Sequence, residues 1–251
     1  MAELTASPTM QRKLGETMRQ DAWWLAPLAT AVVLAGFGIY STWAAFQGVH
    51  YEWGPYLSPF YSPLILTDWW PLSPAILILW MPLGFRATCY YYRKAYYRSF
   101  FLRPPACAVT GLQPGRYTGE RAFPLILQNV HRYFLYLALI VLAFLWYDVI
   151  LAFNFEGRFG MGLGTVVLLA NATLLSLYTF SCHSLRYLVG GHLDCFSCAP
   201  LGEARYKAWR GVSALNRHHM LWAWTSLVMV GFADFYVRML SMGVFSDVRF
   251  F

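Results

Sequence analysis

The residues best suited to metal chemistry are concentrated in one stretch, residues 181–198, where a long apolar segment runs out into a loop. It holds three of the five cysteines and two of the six histidines of the chain: Cys182, Cys195, Cys198, His183 and His192. Thiolate and imidazole groups are ligands for zinc, copper and iron–sulfur centres. The Cys195-x-x-Cys198 spacing lets two thiolates converge on one metal, and His192 can join them. We therefore interpret this stretch as the seat of a redox metal centre.

The composition indicates that the helices positioning these residues lie in a membrane. Hydrophobic residues make up 58% of the 251 residues and charged residues 12%, whereas soluble domains have about 25% charged residues. We predict an all-α polytopic membrane protein with a polar N-terminal arm, residues 1–21, and a transmembrane domain, residues 22–251. The net charge of +7 is explained by membrane topology, so we expect no nucleic-acid partner.

Five apolar segments are long enough to cross a bilayer, which takes about 20 residues. They cover about residues 23–45, 71–92, 124–153, 159–187 and 215–240. Residues 46–70 are rich in proline and are predicted to form an interfacial loop, and Pro74 and Pro82 predict a kink in the second span. Asp148 and Asp234 near the same membrane face are predicted to be solvated or ion-paired there rather than to relay protons.

Lysine and arginine are distributed unevenly between the two sides of these spans. Of the 19, only Arg158, Arg238 and Arg249 fall on the side of His50. Because the excess of positive charge lies on the cytoplasmic side, we predict a cell-membrane protein whose N-terminus and cysteine-bearing loops are cytoplasmic. Disulfides are rare in that compartment, so we expect none between these cysteines.

An internal repeat relates the second and third spans to the fourth and fifth. Cys89-Tyr-Tyr-Tyr-Arg93 matches Cys182-His-Ser-Leu-Arg186, with cysteine and arginine on one helical face. Further along, Asn129-Val-His131 matches Asn216-Arg-His218. The two halves are interpreted as a duplicated helical hairpin. The repeat predicts six residues at similar depth near the cytoplasmic surface: Cys89, Cys182, Cys107, Cys198, His131 and His218.

Residues 86–98, with the sequence Arg-Ala-Thr-Cys-Tyr-Tyr-Tyr-Arg-Lys-Ala-Tyr-Tyr-Arg, and the 182–198 stretch resemble a known family. They are similar to the single membrane-anchor subunit of actinobacterial succinate dehydrogenases, and the resemblance covers essentially the whole chain. It implies a heterotrimeric complex II in which a flavoprotein oxidises succinate, an iron–sulfur subunit passes the electrons on, and this anchor delivers them to quinone. The anchor would be a subunit of the enzyme and would not oxidise succinate itself. A higher oligomer of the heterotrimer is an additional possibility.

The resemblance also implies a Rieske-type [2Fe–2S] cluster in place of haem. Haem b is disfavoured because the first two spans contain no histidine. Two ligand sets compete. One comes from the repeat and combines two of Cys89, Cys107, Cys182 and Cys198 with His131 and His218. The other is local and consists of His183, His192, Cys195 and either Cys198 or Cys182. We prefer the repeat for the histidines, because ligands on helices are held more rigidly.

A quinone site requires an apolar slot with hydrogen-bond donors at a wet face. The cytoplasmic ends of the second, fourth and fifth spans offer suitable side chains: Arg86, Tyr92, Arg93, Arg186, Tyr187 and His219, with Trp222 as an apolar wall. The soluble partners are expected to dock on residues 93–123 and 194–210. The alternatives are a b-type cytochrome anchor of another quinone oxidoreductase and a metal-binding membrane sensor.

Overall fold

The structure is a computed structural model that describes residues 13–112, 121–123 and 125–251. Its α-helices are α1 Leu25–Gln47, α2 Pro74–Ala87, α3 Tyr90–Ala95, α4 His131–Leu151, α5 Leu163–Phe180, α6 His183–Arg186, α7 Gly202–Asn216 and α8 His219–Ser241. Two π-helical turns, Tyr96–Phe100 and Tyr187–Gly191, follow α3 and α6, and a 3₁₀ turn, Leu125–Val130, precedes α4. The described chain is thus predominantly helical, as predicted from composition.

Within the described part of the chain, four helices are long and apolar enough to cross a membrane: Leu25–Gln47, Ile126–Leu151, Leu163–Phe180 and His219–Ser241. The second predicted span is the shorter apolar helix α2, with 14 residues. In the bundle α5 packs against α4 and α8, α4 also packs against α2, and α1 contacts α2 and α8. Large apolar side chains such as Ile39, Ile150 and Val228 are exposed on the outside of the bundle, where lipid can cover them.

The close packing of α2 on α4 depends on a glycine. A Cβ atom on Gly84 would lie 2.1 Å from Cε1 of Phe134 on α4, so a larger residue would push the two helices apart. Since α2 carries the chain directly to Cys89 and α4 begins at His131, this contact positions both residues.

The structure corrects the ends of two predicted spans. The second span was expected to continue to residue 92 and the fourth to residue 187, but α2 ends at Ala87 and α5 at Phe180. Cys89 and Cys182 both adopt extended backbone at the N-cap of a new short helix, with ψ of 132° and 138°. Helices α2 and α5 therefore end at corresponding places in the repeat, and a cysteine follows shortly after each end.

Helix α7, Gly202–Asn216, was not expected, because its residues were assigned partly to a docking loop and partly to the fifth span. It has no buried residue and carries Lys207 and Arg210 together with Trp209. A polar helix of this kind lacks the continuous apolar run by which spans are recognised. The fifth span accordingly begins only at His219.

The interfacial loop is ordered, as predicted, and it joins two carboxylates at the His50 side. Its strands, β1 Glu52–Trp53 and β2 Tyr56–Leu57, form a hairpin. Beyond them, the hydroxyl of Ser58 donates to Asp234 and that of Ser62 to Asp148. A second hairpin, β3 Asn154–Phe155 with β4 Arg158–Phe159, joins α4 to α5.

Asp234 forms the ion pair predicted from sequence, but inside the protein rather than in solvent. Its Oδ1 lies 3.3 Å from Nη2 of Arg238, and the two side chains are 0% and 1% exposed. The Tyr40 hydroxyl also donates to Asp234 at 2.6 Å. The paired carboxylate stabilises the packing of α8 against α1.

The described part of the N-terminal arm lies on the loop that follows α3. Backbone and side-chain hydrogen bonds join Gly15 to Thr110 and Thr17 to Ala108. The Arg19 guanidinium donates to the carbonyl of Cys107 at 2.9 Å. The first 12 residues of the arm, and residues 113–120 of the predicted docking loop, lie outside the described residues.

Candidate metal centre

Two cysteine–histidine contacts lie together at the end of the bundle where α2 and α5 stop. The Sγ of Cys182 is 3.2 Å from Nε2 of His131, and the Sγ of Cys89 is 3.5 Å from Nε2 of His219. Both cysteines belong to one core cluster and are 2% or less exposed. Each of the four residues stands at the start or N-cap of a helix, so each is held by a rigid element.

The hydrogen bonds of Thr88 determine which nitrogen of His131 carries a proton. The Thr88 hydroxyl donates to the carbonyl of Gly84 at 2.6 Å, and it lies 2.9 Å from Nδ1 of His131. A hydroxyl has one proton to donate, so Nδ1 must be the donor to Thr88. The Nε2 atom therefore presents its lone pair towards Cys182.

Ser181 does the same for the second histidine. Its hydroxyl donates to the carbonyl of Tyr178 at 2.9 Å and lies 2.7 Å from Nδ1 of His219. The Nδ1–H of His219 consequently donates to Ser181, and Nε2 faces Cys89 with its lone pair free. Holding a histidine by its other nitrogen in this way is how proteins prepare a metal ligand.

Backbone N–H groups point at both sulfur atoms. Burial raises the pKa of the Cys89 thiol, and hydrogen bonds from the backbone N–H groups of Tyr91 and Tyr92 oppose that shift. Burial raises the pKa of the Cys182 thiol to about 11, and the N–H groups of Ser184 and Leu185 oppose it. At neutral pH both residues are thus thiols in the metal-free chain, and a bound metal would be needed to hold them as thiolates.

These residues extend the repeat beyond what sequence reasoning found. Phe85 stacks on His131 with ring centroids 4.7 Å apart, and Tyr178 stacks on His219 at 5.1 Å. The pattern is an aromatic residue, then a hydroxyl residue three positions later, then cysteine: Phe85, Thr88 and Cys89 in one half, Tyr178, Ser181 and Cys182 in the other. That signal is present in the sequence, but the predicted repeat rested on cysteine, arginine, asparagine and histidine alone.

The donor set fits a two-iron cluster. Among the described residues no three His, Cys, Asp or Glu side chains gather around a single metal-ion position. The four donors instead form two adjacent pairs, which together supply the two thiolates and two imidazoles of a Rieske-type [2Fe–2S] cluster. The N–H groups directed at the sulfurs suit a thiolate-bound cluster.

The histidine that the structure places beside Cys89 differs from the one that the repeat predicts. His218 is exposed at the N-cap of α8, whereas the next residue, His219, is 2% exposed and contacts Cys89. The sequence match pointed to His218 because it aligned Asn129 with Asn216, but α4 begins two residues after Asn129 whereas α8 begins three residues after Asn216. A helix residue turns by about 100° per position, so the neighbouring histidine faces inward instead.

Among the described residues, no three side chains of the local ligand set gather around a single metal-ion position. Cys195 and Cys198 are joined in a disulfide, contrary to the expectation of free thiols, because the Cys-x-x-Cys turn brings their Cα atoms within 5.4 Å. The Nδ1–H of His192 donates to the carbonyl of Tyr187 at 2.8 Å, and its Nε2 accepts a hydrogen bond from Arg205 at 3.0 Å. His183 is exposed. Cys107 is exposed as well, with its sulfur 3.8 Å from a guanidinium nitrogen of Arg98.

Cavities in the described part of the bundle include two that share lining elements with the centre. The first, of about 490 Å³, lies between the start of α1, α3 and the start of α8. Its lining includes Trp23, Tyr91, Tyr92, Arg98, Met220 and Trp224. The second, of about 330 Å³, lies between α1, α2, α4 and α5 and is lined mainly by apolar side chains, with Arg86 and Tyr178 at one end.

Some of the residues predicted to bind quinone line one of these cavities, and the others line neither. Arg86 lines the second cavity and donates to the Tyr92 hydroxyl at 2.9 Å, while that hydroxyl donates to the carbonyl of Ala223 at 2.7 Å. Tyr92 therefore offers the first cavity its ring rather than a free hydroxyl. The remaining predicted residues line neither cavity: Arg93, Arg186, Tyr187, His219 and Trp222. Arg186 instead donates to Ser213 of α7.

Known proteins provide an independent comparison. A family profile described as actinobacterial succinate dehydrogenase subunit SdhC matches residues 25–243. Among solved structures, the chain is similar to a chain of the Mycobacterium smegmatis Sdh1 complex in the apo form, with 45% sequence identity, a TM-score of 0.86 and 98% of each chain covered. No curated protein matches it significantly. Because the profile covers most of its length, the chain belongs to the SdhC family of actinobacterial succinate dehydrogenases and is a non-catalytic membrane subunit of that enzyme complex.

Proposed function

We propose that this subunit passes electrons from a soluble iron–sulfur partner to a membrane quinone through a Rieske-type [2Fe–2S] cluster. Cys89, Cys182, His131 and His219 would hold the cluster. The observation that carries the proposal is the pair of cysteine–histidine contacts in which both Nε2 lone pairs face a buried sulfur. Such a cluster, when bound, accepts and releases one electron at a time.

The surrounding residues are suited to holding a redox group with little rearrangement. Thr88 and Ser181 orient the two imidazoles through Nδ1. Phe85 and Tyr178 stack on the imidazole rings of His131 and His219 and restrict their movement. Rigid ligands lower the cost of reorganisation that accompanies a change in charge, which favours rapid electron transfer.

Replacing Cys182 by serine in the intact complex is expected to remove the cluster, because serine cannot supply the soft thiolate. Iron and acid-labile sulfide should each fall by about two per complex relative to wild type. A [2Fe–2S] signal should also disappear from the electron paramagnetic resonance (EPR) spectrum of the reduced protein.

Cys107→Ser is the matched control, since Cys107 is a free cysteine on the surface, and it should retain both the iron and the signal. A wild-type complex with zinc or haem at this site, or Cys182→Ser with its full iron content, would contradict the proposal. An optical absorption spectrum of the wild-type complex would identify a b-type cytochrome if haem bands appeared.

The first cavity is the proposed quinone site. Its volume, about 490 Å³, is in the range of small-molecule sites. Tyr91 lines it and contacts the ring of His219 in a tilted arrangement with centroids 4.9 Å apart, so a quinone ring in the cavity would be one side chain from a proposed ligand. Lys94 and Arg98 also line it. These polar groups and the mouth at Asp21 would give the protons needed for quinone reduction a route from water.

Filling the first cavity should weaken quinone binding selectively. Ala26 and Leu83 are both exposed residues that line the first and second cavity respectively. We expect Ala26→Trp to raise the KM for quinone about tenfold, with the oxidation of succinate by a soluble artificial acceptor unchanged. Steady-state kinetics of the purified complex would measure both. If Leu83→Trp raised the KM and Ala26→Trp did not, the second cavity would be the quinone site.

The soluble partners would dock on the face at which the proposed cluster lies. The arm residues 13–21, the loop 101–112 and helix α7 lie near this end of the bundle and carry arginine and lysine side chains. By the distribution of positive charge this face is cytoplasmic, with α2 serving as a fifth, short span. The partners are proposed to be the iron–sulfur and flavoprotein subunits of succinate dehydrogenase.

A further inference from the structure

The proposed cluster site is nearly symmetric, and its departures from symmetry are confined to a few side chains. Cysteine, histidine and the hydroxyl residue before each cysteine occur in both halves. In the aromatic pair, however, Phe85 corresponds to Tyr178, so only one half has a phenol. At the next position Arg86 corresponds to Thr179. A hydroxyl and a positive charge have therefore been added to an otherwise duplicated arrangement.

The phenol of Tyr178 is buried and lacks a conventional partner. The side chain is 1% exposed, and its hydroxyl has no hydrogen-bond partner among the described residues. An unsatisfied buried hydroxyl costs free energy, so a group that accepts its proton is to be expected when the site is loaded. Its ring stacks on His219, the residue that contacts Cys89.

An acceptor of suitable chemistry is the sulfur of Cys89. Cys89 and Tyr178 belong to the same buried core cluster, and the Cys89 sulfur contacts the imidazole of His219 on which the Tyr178 ring stacks. The contact with the thiol lies outside hydrogen-bond geometry, but a thiolate is the stronger acceptor because it is charged. Conversion of Cys89 from thiol to metal-bound thiolate would thus give the phenol its partner.

Arg86 holds this arrangement and adds its own charge. Its guanidinium carbon lies 4.6 Å from the centre of the Tyr178 ring, a cation–π contact. The guanidinium donates to Tyr92, the carbonyl of Ala223 and Ser226. No carboxylate is within ion-pair distance of Arg86 in the described part of the chain. Its positive charge is therefore not neutralised locally.

We propose that Tyr178 and Arg86 are positioning residues that raise the reduction potential of the cluster from the Cys89 side. The phenol donates a hydrogen bond to the Cys89 sulfur, and the guanidinium acts on the same sulfur through its charge. Reduction adds one electron to the cluster, and both groups stabilise the added negative charge without making or breaking a covalent bond. Hydrogen bonds to sulfur and net charge are known determinants of cluster potentials. This inference rests on the proposed cluster.

Tyr178→Phe makes the aromatic pair identical in the two halves and provides the first test. In the purified complex, a redox titration followed by EPR should show a midpoint potential more negative than wild type. Iron content and signal intensity should stay unchanged. Tyr236→Phe is the matched control, because it removes a buried phenol that donates to Asp247 at the opposite end of the bundle, and its midpoint potential should equal that of wild type.

Arg86 provides a second test that does not depend on the first variant. Arg86→Gln should also shift the midpoint potential to more negative values. Arg86→Lys should have a midpoint potential close to that of wild type, because it keeps the positive charge. If Tyr178→Phe loses iron, the comparison of Arg86→Gln with Arg86→Lys tests the inference in its place. An intact signal with a wild-type midpoint in Tyr178→Phe, or equal midpoints in Arg86→Gln and Arg86→Lys, would overturn the inference. A wild-type complex without the signal would instead refute the proposed cluster.

Discussion

Replacing His219 by alanine should abolish quinone reduction, while the same change at His218 should have almost no effect. His219 presents Nε2 to Cys89 from a fully enclosed position, whereas the neighbouring imidazole of His218 is exposed. Loss of one of four ligands leaves an iron position incompletely coordinated, so the cluster should be lost. Quinone reduction by the purified complex and the EPR signal should disappear together. Oxidation of succinate with a soluble acceptor should continue.

Substituting the residues that orient the two histidines should weaken cluster binding without abolishing it. Thr88→Val and Ser181→Ala remove the acceptors for the Nδ1–H groups of His131 and His219. Changes of this kind typically weaken metal binding about 10–100-fold, so the cluster should be released faster to a chelator. Loss of the signal in His218→Ala with retention in His219→Ala would contradict the assignment and favour the histidine predicted from the sequence repeat.

Asp234→Ala should be among the most destabilising single substitutions in the chain. It would leave Arg238, 1% exposed, without its counter-charge and would deprive the hydroxyls of Tyr40 and Ser58 of their acceptor. Removing one partner of a buried ion pair costs about 3–5 kcal/mol. Arg238 can relieve little of this cost, since its other acceptors are backbone carbonyls such as that of Val49 at 3.0 Å.

Unfolding of the purified protein in detergent, followed by circular dichroism, would measure this loss. Glu203→Ala is the control, because Glu203 pairs with Lys207 on the surface of α7 with both side chains more than 70% exposed. Exposed pairs contribute little, so the control should unfold like wild type. Asp234→Asn, which keeps hydrogen-bonding oxygen but no charge, should fall between them. Equal stability of Asp234→Ala and Glu203→Ala would show that the buried pair is not a stabilising element.

The membrane class, the four long spans and the repeat were accessible from sequence, because each depends on local composition or on short-range order. Apolar runs such as residues 25–47 must be helical to satisfy their backbone in lipid. The Cys89 and Cys182 repeat was visible as a pattern of residue types. The span ends at Cys89 and Cys182 were not predicted, since the apolar character continues past both cysteines and gives no local stop signal.

The sequence by itself determined that this protein is an all-helical membrane subunit of its family and that cysteine and histidine residues recur in two related halves. Only the tertiary structure decided which of them meet. Cys89 contacts a histidine from α8 and Cys182 one from α4, so each pair joins residues distant in the chain. His219 rather than His218 faces Cys89 because of the rotation of the helix. Cys89 and Cys182 are buried beside an imidazole, whereas Cys195 and Cys198 are joined to each other in a disulfide. Such choices depend on packing between helices, which a pattern of residue types along one chain does not contain.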